Sequence, residues 1–158
     1  MYEPFIVPGS EAAMAWSLLV AALLGALLGV ERSLAGKHAG MRTYALVSLG
    51  SCLFVLISTL ASNSFLSAFP GINPIQIAAS VVIGIGFIGS GLVSLKGDTH
   101  VELTTASGIW VVAGIGMACG FGMFMLAGVA TVLAAMILSL FLRVENGIKK
   151  RIPPAQSM

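Results

Sequence analysis

Charge is scarce in this chain of 158 residues: lysine and arginine number 8, aspartate and glutamate 6, and charged side chains make up 9%. Hydrophobic residues make up 58%. A water-soluble domain of this length cannot hide that much apolar surface in its core, so a soluble fold is excluded. The 2 cysteines lie inside apolar runs and form neither a disulfide framework nor a metal pair. Cys52 and Cys119 fall within apolar runs and read as small buried residues. Strand-like alternation of apolar and polar residues is missing, which argues against a β-barrel. No nucleophile stands near a histidine, so the chain reads as a non-enzyme. Nothing supports nucleic-acid binding.

What is present is apolar length. Mean hydropathy is +1.02, and a helix needs about 20 apolar residues to cross the hydrocarbon core. Five segments qualify: 12–30, 43–60, 75–95, 103–120 and 124–142. The expected fold is an all-α membrane protein, a bundle of five transmembrane helices in the lipid bilayer. Residues 1–11 read as an extracytoplasmic lead, 12–143 as the membrane domain and 144–158 as a short basic cytoplasmic tail. The first segment is preceded by Glu3 and Glu11 and by no basic residue, so it reads as a retained helix and not as a signal peptide.

The few charges are placed on one side. Arg32, Lys37 and Arg42 fall in the first connection, Lys96 in the third, and Arg143, Lys149, Lys150 and Arg151 after the fifth segment. The second and fourth connections carry none. With five crossings every basic residue lies on the same side, and the positive-inside rule makes it cytoplasmic. The expected topology is N-out and C-in.

Glycine marks where helices approach closely in lipid. Gly25 and Gly29 lie in the first helix, Gly84, Gly86, Gly89 and Gly91 in the third, and Gly108, Gly114, Gly116 and Gly120 in the fourth. Helices one, three and four are therefore expected to form the tight centre. Residues 84–89 spell GxGxxG, but they lie inside an apolar span and lack a suitably spaced acidic residue. They fit helix packing better than dinucleotide binding.

Two groups of polar residues are candidates for function. Glu31 ends the first helix and Arg42 opens the second, and antiparallel geometry is expected to pair them across the connection. That pair fixes the hairpin on one reading. On the other, Glu31 borders a polar cavity and binds a cation or a proton. The second group is Asp98, His100 and Glu102. Asp98 and Glu102 suit an outer-shell Mg²⁺ site, or else form a solvated loop with Glu102 at a helix N-terminus. Thr104 and Thr105 follow, with hydroxyls able to cap the fourth helix or bond across helices.

Four blocks occur in order: Gly29-Val30-Glu31-Arg32, Ala39-Gly40-Met41-Arg42-Thr43-Tyr44-Ala45-Leu46-Val47, the glycine-rich run 83–91, and Leu103-Thr104-Thr105-Ala106 with Trp110. Together they resemble the MgtC/SapB family over roughly residues 15–140. The resemblance implies a multi-pass protein of the bacterial inner membrane, tied to growth in low magnesium and, in intracellular pathogens, to virulence. It implies a neighbourhood of magnesium-transporting P-type ATPases and, for one member, inhibition of ATP synthase. The positions matching the family motif are Glu31, Arg32, Gly40, Arg42, Thr43, Gly86, Gly89, Gly91, Thr104, Thr105 and Trp110.

The chain departs from that pattern in two places. Many members carry a soluble C-terminal domain, whereas this sequence ends soon after the fifth segment. Where the family has a basic residue and a glycine before Leu-Thr-Thr, Val101 and Glu102 stand here. The reading that follows is a homo-oligomeric, non-enzymatic regulator of another membrane complex, such as ATP synthase or a P-type ATPase. The alternative is a transporter or channel for Mg²⁺ or another cation, with Glu31, Asp98 and Glu102 as ligands.

Overall fold

The computed structural model describes residues 10–65, 74–93 and 103–149. Within them lie five α-helices and no strand: α1 Glu11–Leu34, α2 Met41–Phe65, α3 Pro74–Leu92, α4 Leu103–Gly120 and α5 Phe124–Lys149. All five are long and apolar enough to cross a membrane. The chain is thus a multi-pass membrane protein. Asp98, His100 and Glu102 lie outside the described residues.

The helix ends show why the chain turns where it does. The Ser10 hydroxyl accepts a hydrogen bond from the Ala13 N–H at 3.2 Å and caps α1, with Glu11 in its first turn. Gly36, at φ +68°, closes the other end of α1. The Lys37 N–H donates to Arg32 O at 3.0 Å and the Gly36 N–H to Ser33 O at 3.1 Å. This is a Schellman closure, which needs a left-handed residue at that position. Gly122, at φ +74°, repeats it after α4: Met123 N–H donates to Ala118 O and Gly122 N–H to Cys119 O. α1 and α5 run further than the apolar segments suggest. Glu31 and Arg32 become the last turn of α1, and the expected tail from 144 begins as helix through Lys149.

Small residues decide which helices meet. α1 buries Ser17, Ala21, Gly25 and Gly29 along one ridge. A Cβ on Gly25 would stand 2.6 Å from Tyr44 O, and one on Gly29 would stand 2.5 Å from Met41 Cα. Rising numbers in α1 meet falling numbers in α2, so the two are antiparallel. On α2 the buried row is Tyr44, Ser48, Cys52 and Val55. It meets Gly108, Gly116 and Gly120 of α4 in the same order, so α2 and α4 run parallel. A Cβ on Gly116 would overlap the Ser48 carbonyl, the close backbone approach of a tight helix crossing.

The centre is therefore α1, α2 and α4. The expectation that α3 belongs to it is corrected. Ile85 is the one buried residue among α3's described side chains. A Cβ on Gly84, Gly86 or Gly91 would meet nothing within 4 Å, and the same holds for Gly114 of α4. Gly89 reaches only an ordinary contact with Ala106, at 3.8 Å. α3 lies outside, against α2 and α4, and α5 covers α4 and α1 through buried Ala127, Thr131 and Leu138. Cys52 and Cys119 are buried and unpaired, as read from the sequence.

Candidate functional site

Three of the four sequence blocks converge at one end of the bundle, called here the charged end. The last turn of α1 brings Glu31 and Arg32, the first turn of α2 brings Arg42 and Thr43, and the first turn of α4 brings Thr104 and Thr105. Tyr44 ties the last two together: its hydroxyl donates to the Thr105 carbonyl at 3.1 Å, and both residues are buried. Ser33 ties the first two. Its hydroxyl accepts from the Met41 N–H at 3.0 Å and so satisfies a first-turn donor of α2. Gly40 leaves the room for this cap, since a Cβ there would strike the same hydroxyl.

The charge pair is not the expected one. Glu31 is held by its neighbour Arg32: Nε donates to Oε2 at 2.5 Å and Nη2 to Oε1 at 2.8 Å. Arg32 is 2% exposed and Glu31 20%. This two-pronged contact suits a boundary between water and hydrocarbon, and the guanidinium also faces the negative end of the α1 dipole. The expected Glu31–Arg42 pair does not form. α1 meets α2 through Met41, Ala45 and Ser48, and Arg42 stands on a different side of α2. Arg42 is exposed, and no carboxylate among the described residues pairs with it.

Both oxygens of Glu31 are engaged by a cation, which opposes a second cation there. Among the described residues there is no group of three or more metal-ligating side chains. Asp98 and Glu102 lie outside them, so that half of the sequence reading meets no geometry. Thr105 is buried, whereas Thr104 is exposed. Trp110 lies apart from the cluster, 56% exposed on the outer side of α4.

Tyr44 and Ser33, which hold the site together, were not among the sequence candidates. Tyr44 had a legible signal: a phenol inside an apolar helix needs an acceptor for its hydroxyl. Ser33 had none, since its role depends on the turn that follows it.

Comparison with known proteins fits this picture. The chain is 42% identical over 125 residues to the Escherichia coli K12 protein named "Putative magnesium transporter YhiD", covering 78% of this chain and 58% of that protein. It is 43% identical over 117 residues to protein MgtC of Salmonella typhimurium LT2, covering 74% and 47%. It is 35% identical over 151 residues to protein SrpB of Synechococcus elongatus, covering 90% and 82%. The chain thus spans about half the length of the first two. No solved structure matches it. The MgtC family pattern runs over residues 18–147, taking in α2, α3 and α4 whole and most of α1 and α5, and the chain belongs to the MgtC family.

Proposed function

We propose that this chain is the membrane module of a protein serving adaptation to low magnesium in the bacterial inner membrane, with its N-terminus outside and its charged end in the cytoplasm. It acts without catalysis, by helix contact with another membrane complex such as ATP synthase or a P-type ATPase. The observation that carries this reading is the closed centre. Along α1–α2 and α2–α4, at Gly29, Gly25, Gly116 and Gly120, the helices leave no room for even one methyl group. Mg²⁺ holds its ligands at about 2.0–2.1 Å and sheds its waters reluctantly. Such a centre offers it no path, so the effect of the chain falls on a partner.

The second reading, transport of Mg²⁺ or another cation, is favoured by the name of the Escherichia coli relative. It places Glu31 on the pathway and predicts that Glu31→Gln abolishes flux without unfolding the chain. Isolation in mild detergent with mass analysis of co-eluting proteins and ions separates the two. The regulatory reading predicts a stoichiometric membrane partner and no retained Mg²⁺. A chain that elutes alone with bound Mg²⁺ contradicts it.

A further inference from the structure

An open apolar groove of about 680 Å³ runs between α2 and α3. Leu46, Gly50 and Phe54 line it from α2, and Ile88, Gly84 and Ile77 line it from α3 in antiparallel order. Gly50 of α2 and Gly84 of α3 both line it. A Cβ on Gly50 or on Gly84 would meet nothing within 4 Å.

Arg42 lies one helical turn before Leu46, the first residue of α2 that lines the groove. Arg42, Leu46, Gly50 and Phe54 follow one another at helical spacing and share a face of α2. Side chains in a helix lean toward its N-terminus, so the guanidinium reaches away from the hydrocarbon, toward the headgroup level. No carboxylate among the described residues pairs with it, the first turn of α2 has no acidic residue, and a cation at a helix N-terminus opposes the dipole.

We propose that the α2–α3 groove holds an acyl chain of an anionic phospholipid whose phosphate pairs with Arg42. The occupant follows from charge and depth together. A guanidinium matches a phosphate in two-pronged geometry. At 1.5 Å per residue, Leu46 lies about 6 Å and Phe54 about 18 Å below Arg42. The groove therefore ends near the midplane of a hydrocarbon core about 30 Å thick, at the depth reached by a chain of one leaflet. Such a lipid would occupy the groove whether the module regulates a partner or transports an ion.

Native mass spectrometry of the detergent-solubilised chain, titrated with phosphatidylglycerol or phosphatidylcholine, tests it. The wild-type chain is expected to retain one phosphatidylglycerol in preference to phosphatidylcholine. Arg42→Gln should weaken phosphatidylglycerol retention about fivefold and abolish the preference, and Arg42→Lys should keep most of it. Gly84→Leu places a side chain in the groove, where a Cβ meets nothing within 4 Å, and should lower retention of both lipids. Equal retention of the two lipids by the wild-type chain overturns the proposal. So does an unchanged preference in Arg42→Gln, or unchanged retention in Gly84→Leu.

Discussion

Two arginines ten positions apart carry the same charge and have opposite environments. Arg32 is buried on the carboxylate of Glu31, while Arg42 is exposed at the start of α2. Removing Arg32 leaves a carboxylate at a partly buried site. Breaking a fully buried pair costs about 3–5 kcal/mol, and because Glu31 keeps some contact with solvent, Arg32→Ala should cost about 2–3 kcal/mol. Arg42→Ala should stay within about 0.5 kcal/mol of wild type, since it removes a cation that opposes the helix dipole. Thermal unfolding in detergent compares the two, and an equal loss would mean that Arg42 is also an internal partner. Tyr44→Phe removes one buried hydrogen bond between α2 and α4 and should cost about 1 kcal/mol in the same assay. The convergence of Glu31, Arg32, Arg42 and Thr105 was legible from their order in the sequence. The choice of partner for Glu31 was not, because it depends on which side of α2 faces α1.

At the level of elements, the number and type of the helices could be read from apolar length. Their arrangement could not. In water, a helix advertises its buried face by contrast with a polar one. In lipid both faces are apolar, so that contrast disappears and only the size of residues at the crossing remains. Counting glycines pointed to α3. The crossing is instead made by Gly25, Gly29, Gly116 and Gly120 against serine, cysteine and backbone of α2, whose small residues are less conspicuous than glycine. This yields a paired prediction. Gly116→Ala pushes a methyl into the Ser48 carbonyl and should destabilise by about 1–3 kcal/mol, as overpacking does. Gly84→Ala enters open space and should stabilise by about 0.5–1 kcal/mol through helix propensity. Unfolding midpoints of the two variants measure this difference, and similar midpoints would contradict the placement of α3 outside the centre.

For the whole molecule, α1, α2 and α4 form a closed core, with α3 and α5 set around it. The α1–α2 and α2–α4 crossings leave no room for an ion, and much of the described outer surface is apolar, which suits the proposed action through contact. Family membership and the names of its relatives bring magnesium into view, and the closed centre bears on how magnesium enters the account. The most direct test is Mg²⁺ entry into sealed proteoliposomes containing only this chain, followed with an entrapped Mg²⁺-sensitive dye under an imposed gradient. The account predicts entry no faster than in protein-free liposomes, for the wild-type chain and for Glu31→Gln alike. Mg²⁺ entry that requires the wild-type chain and is lost in Glu31→Gln would contradict it.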